Sequence, residues 1–297
     1  MIKRLAELDH LVSRREEPVG IAVVNACDNA VLDSLADLTA AGTIYPLLID
    51  PSPSLPQAAA AHLAKDSYEC FTVADDAESA ALAVALVREG RAGALMKGHV
   101  ASGVFLKAVV DRETGIRSSA VLSHVAVLEA RELNRLIAVT DGGMMTVPNE
   151  EQSEAIIEHG VQVMQALGVS DPKVALLSAA ETVIPRLPSA ELQARLAAKD
   201  GRDITVEGPI SLDIALIPGI AEEKDYPGAI KGDASVIVVP DIVTGNVLSK
   251  SLIYFGGGAM AGVVLGAACP IILTSRSAGA AEKRYSIELA IAMGEGA

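Results

Sequence analysis

The sequence predicts an α/β protein of two domains, each an α/β/α arrangement on a mainly parallel sheet. Short apolar segments alternate with helical segments along the whole chain, which is typical of βαβ units. Aromatic residues make up only 3% of the 297 residues and tryptophan is absent, so the core is aliphatic, as in sheets covered on both faces. The alternation restarts after Asp141, which indicates a second domain.

The first part of the chain contains strand–helix pairs and then two strands in succession. Apolar runs predict the strands, and Ala-rich amphipathic stretches predict the helices. The segments, in order, are strand 19–24, helix 28–40, strand 44–49, a helix after the Pro/Ser turn 50–56, strand 69–73, helix 75–88, strand 94–96, helix 103–110, and strands 121–128 and 136–139, an antiparallel candidate pair.

The second series begins with a long helix at 149–167, capped by Asn149 and ended by Gly168. It continues with strand 173–178, helix 190–199, strand 204–207, loop 219–232, strand 235–240, helix 246–254 and strand 263–273. We expect the chain's end to pack back on its beginning. The predicted domains are therefore 1–140 plus 263–297, with 141–262 inserted.

Charge and composition restrict the function. A net charge of −14 argues against nucleic acid or an anionic membrane as a partner, although a local basic site can still bind a small anion. No apolar run reaches the ~18 residues of a spanning helix, and the start lacks a signal-peptide pattern. We expect a cytoplasmic protein.

The cysteines and histidines do not form a metal motif. Cys27, Cys70 and Cys269 are widely spaced and are predicted to be buried structural thiols, with a catalytic thiol as the alternative. None of the five histidines lies four residues from another, so no metal site is predicted.

Five polar clusters follow predicted strands, where open α/β sheets bind their ligands. They are Lys97-Gly98-His99, Ser123-His124, Thr140-Asp141, the stretch Asp241 to Lys250 with Gly245-Asn246, and Thr274-Ser275-Arg276.

Each of the first four clusters has a structural alternative. Gly98 lets a backbone approach a phosphate and Lys97 supplies the opposite charge, but the pair also suits an ordinary turn. Ser123-His124 could be satisfied core residues, and Asp141 could shape a turn. Asn246 could be a helix cap with Lys250 on the surface.

The last cluster is the most informative. Ser275 and Arg276 lie where a predicted strand meets a predicted helix, and the positive end of a helix dipole attracts anions. The planar guanidinium of Arg276 suits phosphate oxygens. An N-cap serine with a solvated arginine is the structural alternative. No Walker motif or G-x-S-x-G elbow is present, and Gly256-Gly257-Gly258 lacks dinucleotide-binding spacing.

Taken together, these motifs resemble the phosphate acetyltransferase and phosphate butyryltransferase family. The matching stretches are 95–110, 115–117, 121–127, 139–144, 173–178, 208–213, 240–255 and 270–286, in the family's order. Ser277-Ala278 stands where the acetyl branch has Gly-Cys, and Ile253 where that branch has an arginine. These differences, with Leu-Ser-His-Val at 122–125, favour the butyryl branch.

The resemblance implies reversible acyl transfer between acyl-CoA and phosphate, without a covalent cofactor and with coenzyme A as a substrate. It also implies an overall architecture like isocitrate and isopropylmalate dehydrogenases, a homodimer, and an active site in the interdomain cleft. Ser275 would hydrogen-bond the CoA sulfur or the oxyanion, Arg276 would clamp phosphate, and Glu282, seven residues after Ser275, would be the base. Substrate-binding residues would come from the other clusters: Lys97, Gly98, Ser123, His124, Asp141, Asn246 and Lys250.

Three alternatives stay open. The chain could be a phosphate acetyltransferase, or a transferase for longer or branched acyl groups. A metal- and NAD-dependent decarboxylating dehydrogenase shares the fold, but Asp141, Asp213 and Asp241 are scattered in sequence. A non-catalytic acyl-CoA-sensing domain is the third, against which intact Ser275-Arg276 and Lys97-Gly98 argue.

Overall fold

A computed structural model describes residues 1–275 and 278–294. The strands of this part of the chain are β1 (Val19–Val24), β2 (Ile44–Asp50), β3 (Glu69–Thr72), β4 (Ala94–Lys97), β5 (Ser123–Glu129), β6 (Leu136–Thr140), β7 (Val174–Leu177), β8 (Val206–Ile210), β9 (Val236–Val238), β10 (Ala259–Leu265) and β11 (Ile271–Ile272). The helices are α1 (Leu8–Val12), α2 (Asn29–Ala40), α3 (Leu55–His62), α4 (Asp76–Arg88), α5 (Ser102–Val109), α6 (Glu150–Ala166), α7 (Pro188–Ala197), α8 (Leu212–Leu216), α9 (Ile220–Glu223), α10 (Ile242–Tyr254) and α11 (Ala280–Met293), with a 3-10 turn at Leu5–Glu7.

Contacts divide the chain into two compact units. The first unit comprises residues 6–119 and 261–297, and the second comprises 1–5 and 120–260. These limits differ from the predicted boundary at residue 141, because β5 and β6 group with the later strands. The physical reason is that β6 pairs in parallel with β9, which ties residues 136–140 to the stretch that follows them.

The first unit has the strand order β3-β2-β1-β4-β11-β10. All neighbours are parallel except β10 and β11. Four successive residues of β1, from Ile21 to Val24, are fully buried. Because successive side chains of a strand point to opposite faces, both faces of this sheet are covered.

The second unit has the order β5-β6-β9-β7-β8. The β5–β6 pair is antiparallel, as predicted for the two strands in succession, and the other pairs are parallel. Helix α6 begins at a complete capping box: Asn149 accepts from the N–H of Gln152, whose side chain accepts from the N–H of Asn149. The predicted α/β class with mainly parallel strands is confirmed.

Three predicted segments are wrong. The predicted loop 219–232 contains the short helix α9. Residues 263–273 do not form one strand, because the chain turns at Gly266, whose φ of 99° suits glycine, and returns as the antiparallel strand β11. Helix α10 begins at Ile242, not Asn246, because the Asp241 side chain accepts the N–H of Thr244 and caps the helix. Among the described helices, none has the length and hydropathy needed to span a membrane.

Candidate active site

The first unit brings two of the predicted clusters together. Strand β11 lies in parallel beside β4, with Ile271 opposite Leu95 and Ile272 opposite Met96. The carboxyl ends of the two strands therefore meet at one edge of the sheet. A cavity of about 260 Å³ at this edge is lined by Asp28, Ala30, Val31, Met96, Lys97, Gly98, His99, Thr274, Ser275 and Lys283.

The cavity wall carries hydroxyl and ammonium groups. Ser275 is exposed and Thr274 and Lys97 are half-buried, while the Lys97 Nζ donates to the Gly98 carbonyl at 3.3 Å. Asp28 contributes a carboxylate, but its Oδ1 accepts the N–H of Val31 at 3.1 Å and caps α2. This set of groups can bind a small anion.

Gly98 has a structural reason to be glycine. A Cβ at this position would lie 2.3 Å from the Asn25 carbonyl oxygen and 2.6 Å from that of Val24. The N–H of Gly98 donates to Val24 and that of His99 donates to Asn25. The turn after β4 is thus packed directly on the end of β1, which fixes the position of Lys97 at the cavity.

Helix α11 supplies the predicted base and a lysine that sequence reasoning missed. It begins at Ala280 after the N-cap Gly279, so Ser275 precedes the helix and is not its cap. Glu282 and Lys283 lie in its first turn. Burial raises the pKa of the half-buried Glu282 carboxyl, while the neighbouring charge of Lys283 opposes this shift. Lys283 lines the cavity and Glu282 is not among the lining residues. Arg276 lies outside the described residues.

In the second unit, Asp141 closes a loop. Its side chain is 3% exposed and accepts four backbone N–H groups: Oδ1 accepts Gly143 at 2.7 Å and Met144 at 2.8 Å, and Oδ2 accepts His124 at 3.1 Å and Met145 at 3.3 Å. These bonds use the acceptor capacity of the carboxylate. The geometry favours the turn-shaping alternative for Asp141 over direct contact with a ligand.

His124 is held by the same loop. Its backbone N–H binds Asp141, and a Cβ on Gly143 would lie 3.0 Å from its ring. Within the described residues, the buried Nδ1 has no hydrogen-bond partner. Burial lowers the pKa of the imidazole, and the negative charge of Asp141 opposes the shift. We take the ring to be neutral at physiological pH, able to offer a hydrogen bond but no charge.

Ser123 is fully buried, and its Oγ lies 2.6 Å from Nδ1 of His159 on α6. Burial lowers the pKa of His159 to about 4, so this ring is neutral. The pair joins β5 to α6, which agrees with the core alternative for Ser123. His159 was missed because a lone histidine within a helical pattern gives no signal in sequence.

The beginning of α10 approaches the Asp141 loop backbone to backbone. A Cβ on Gly245 would lie 2.6 Å from Cα of Gly142. The Asn246 side-chain amide points its Nδ2 toward the Gly142 carbonyl at 3.5 Å, and Asn246 and Lys250 are both exposed. Asn246 is therefore inside the helix and is not its cap.

The thiols give no support to the catalytic-cysteine alternative. Burial raises the pKa of Cys269 to about 12 and also raises the pKa of Cys70. Such thiols stay protonated at neutral pH and are poor nucleophiles. Cys27 and Cys70 are half-buried, so only Cys269 is buried as predicted. Over the residues that the structure describes, no three His, Cys, Asp or Glu side chains are grouped to hold a metal.

Comparison with known proteins agrees with these features. The Phosphate acetyl/butaryl transferase family matches residues 58–291. A phosphate butyryltransferase from Clostridium acetobutylicum is 33% identical, over 98% of both chains. A probable phosphate butyryltransferase from Bacillus subtilis is 44% identical over 73% of this chain and 74% of its own. The chain belongs to the phosphate acetyl/butyryl transferase family.

Solved structures support the same fold. A branched-chain phosphotransacylase from Enterococcus faecalis superposes with a TM-score of 0.85 at 31% identity, covering 93% of this chain and 99% of its own. A 4-hydroxythreonine-4-phosphate dehydrogenase from Klebsiella pneumoniae, at 12% identity and a TM-score of 0.54, covers 94% of this chain and 100% of its own. The second likeness concerns the fold alone and agrees with the predicted dehydrogenase-like architecture.

Proposed function

We propose that this protein transfers an acyl group reversibly between coenzyme A and inorganic phosphate. The observation that carries the proposal is the pairing of β4 with β11, which puts Lys97 and Ser275 on one anion-binding cavity. Membership of the family supports it, as do the names of the relatives. Both substrates carry phosphate groups, which suit the hydroxyl and ammonium groups of the cavity.

The chemistry is a single displacement at the acyl carbon. A phosphate oxygen attacks the thioester carbonyl, the new C–O bond forms, the C–S bond breaks, and the CoA sulfur takes the proton that phosphate loses. In the reverse direction the thiol, whose ordinary pKa is about 8.5, gives its proton to a base and attacks acyl phosphate. No covalent cofactor is required.

We assign roles to the residues on this basis. Ser275 donates a hydrogen bond to the sulfur or to the oxyanion, and Arg276 holds phosphate with its planar fork. Glu282 is assigned as the base from its place seven residues after Ser275: its raised pKa makes its carboxylate a stronger proton acceptor. It lies in the first turn of α11 beside Lys283 and does not itself line the cavity. In the second unit, His124, Asn246 and Lys250 are proposed to hold CoA, with the neutral His124 ring forming a hydrogen bond. Asp141 and Ser123 position the loop and strand that carry His124.

We further propose a four-carbon or branched acyl group. The supporting features are the butyryl-type differences at Ser277-Ala278 and Ile253, and the names of the Clostridium and Enterococcus relatives. Acetyl transfer is the second candidate, supported by a phosphate acetyltransferase of Rhizobium meliloti with 34% identity over 92% of this chain and 88% of its own. A cytoplasmic location is proposed because CoA esters are cytoplasmic metabolites.

A homodimer is also proposed. Three exposed apolar side chains of α10, Val243, Val247 and Tyr254, lie along one stripe of the helix, and Phe255 follows at 89% exposure. The second unit also has an apolar cavity of about 580 Å³, lined in part by Leu212, Leu216 and Leu252. Exposed apolar side chains grouped on one helix face mark a surface that suits self-association.

The test is phosphate-dependent release of thiol from acyl-CoA esters of two to five carbons, straight and branched, in the presence of excess chelator. We expect release that requires phosphate and is fastest with butyryl-CoA or a branched ester. Acetyl-CoA as the best substrate would select the acetyl branch. Absence of turnover with tight acyl-CoA binding would indicate the sensing domain, and loss of activity on chelation would point to metal-dependent chemistry.

A further inference from the structure

The position of the Lys283 ammonium group is not explained by the stability of its helix. It lies in the first turn of α11, where its N–H donates to the Gly279 carbonyl at 3.2 Å. The helix macrodipole disfavours a positive charge in a first turn. Within the described part of the chain, Lys283 has no ion pair with a carboxylate within 4 Å. Its side chain is half-buried and lines the cavity that Lys97 and Ser275 share.

The cavity is locally positive in an acidic protein. Lys97 and Lys283 contribute two ammonium groups and Asp28 contributes one carboxylate, which already caps α2. Ser275 and Thr274 add two hydroxyls that can donate to an anion. This positive bias is local, since the chain as a whole carries a net charge of −14. A small anion is therefore the ligand that these walls favour.

The size of the cavity restricts that anion. Its volume of about 260 Å³ lies just below the roughly 300–1,000 Å³ typical of pockets for drug-sized ligands. A phosphoryl group fits such a space, but a whole CoA molecule does not. The phosphoryl group could belong to phosphate or acyl phosphate, or to one end of CoA.

We propose that Lys283 is a further substrate-binding residue, which holds the phosphoryl group of phosphate or acyl phosphate in this cavity together with Lys97. The inference rests on the proposed acyl transfer and names the residue that recognises its smaller substrate. An ammonium group gives a point charge with three donors, so it complements the planar fork assigned to Arg276.

The test compares Lys283→Gln with Lys283→Arg, and uses Lys65→Gln as a matched control. Lys65 is an exposed lysine of the first unit outside the cavity. Phosphate binding to the free protein is measured by calorimetry, and KM is measured separately for phosphate and CoA. We expect Lys283→Gln to raise both the Kd and KM of phosphate about tenfold, the loss of one charge-assisted contact. The KM of CoA should stay within about twofold, and Lys283→Arg should restore most of the affinity.

Other outcomes overturn the inference. A rise in the KM of CoA with unchanged phosphate binding would assign Lys283 to CoA. Equal values for Lys283→Gln and Lys65→Gln would exclude a role in binding, and a lower Tm with a uniform loss of activity would make the residue structural. Failure of the proposed function would look different. If the wild-type protein shows no turnover but binds phosphate, and Lys283→Gln binds it more weakly, the anion site is confirmed and the acyl-transfer reaction is excluded.

Discussion

At the scale of single residues, similar side chains have different uses because of what surrounds them. Asp141 accepts four backbone N–H groups and is saturated. Glu282 has its carboxyl pKa raised by burial, and the nearby Lys283 only opposes the shift. The first carboxylate shapes a loop, whereas the second is suited to accept a proton. Residue type alone could not separate these roles.

Glu282→Gln should therefore remove activity without harming the fold. We expect kcat to fall by about 10²- to 10⁴-fold, the usual contribution of a general base. Because a raised pKa means that folding disfavours the ionised carboxylate, the neutral amide should leave Tm unchanged or higher at pH 7. Steady-state kinetics and thermal unfolding on one preparation check both statements. Wild-type kcat, or a large fall in Tm, would contradict the assignment.

The pair formed by Ser123 and His159 should make stability depend on pH. The pKa of His159 is lowered to about 4 in the fold, below the unfolded value of 6.5. The unfolded state therefore binds more protons between these values, and the stability from the neutral ring is lost as pH falls from about 6.5 to about 4. Urea unfolding between pH 7 and 4 should show this decrease.

The control is His159→Gln, in which this part of the pH dependence should be absent. Ser123→Ala should lower the free energy of unfolding by about 1–3 kcal/mol, because it leaves a buried ring nitrogen unpaired, while substrate KM values stay close to wild type. A variant at Ser123 with normal stability and a strongly raised KM would instead place this hydroxyl in contact with substrate.

At the scale of elements, the approach of α10 to the loop after β6 depends on two glycines. Gly245 and Gly142 pack so closely that a Cβ on Gly245 would lie 2.6 Å from Cα of Gly142 and 2.9 Å from Val239. The Val239 side chain is 2% exposed, so it has little room to move away from a Cβ. The same loop carries Asp141, whose bond to the His124 backbone would be displaced with it.

Gly245→Ala should therefore destabilise the protein by about 1–3 kcal/mol, the usual cost of overpacking. Gly103→Ala is the matched control, because Gly103 also lies in a helix but a Cβ there meets nothing within 4 Å. It should be neutral or stabilising by up to about 1 kcal/mol. Denaturant unfolding of both variants provides the comparison, and equal effects would mean that the close approach is not a packing constraint.

Sequence reasoning succeeded for elements with strong local signals. Strand β1 was predicted with its observed limits, and Asn149 was recognised as the cap of α6. It failed where the limits of a helix or strand depend on contacts with residues elsewhere in the fold. The start of α10 is predicted at Asn246 because asparagine is a common helix cap, although Asp241 also has the usual side chain of a cap. The break between β10 and β11 was missed because the run from 263 to 273 is almost uniformly apolar.

At the scale of the whole molecule, the first unit is assembled from both ends of the sequence. Strand β11, near the carboxyl end, lies between β10 and β4 in the sheet order. This placement brings Ser275 and Lys283 to the cavity of Lys97, about 180 residues earlier in the chain. The candidate anion site therefore requires segments from both ends of the sequence.

The proposed dimer is tested by Val247→Asp. A buried unpaired carboxylate in an apolar interface is costly, so this variant should run as a monomer in light scattering at concentrations where the wild type is a dimer. Val110→Asp, at an exposed valine of the first unit, is the control and should leave the oligomeric state unchanged. A wild-type monomer, or a Val247→Asp dimer, would exclude α10 as the interface.

The sequence by itself determined the fold class, most strands and helices, and the polar clusters at strand ends, because period, capping and composition act over a few residues. The motifs around Lys97, Ser275 and Glu282 also indicated the family before any contact was known. Tertiary structure decided which clusters meet and what each side chain does. Pairing of β4 with β11 joins residues distant in sequence. Asp141 and Ser123 are buried and hydrogen-bonded within the protein, whereas Lys283 lines the cavity, and no local sequence pattern distinguishes these two situations.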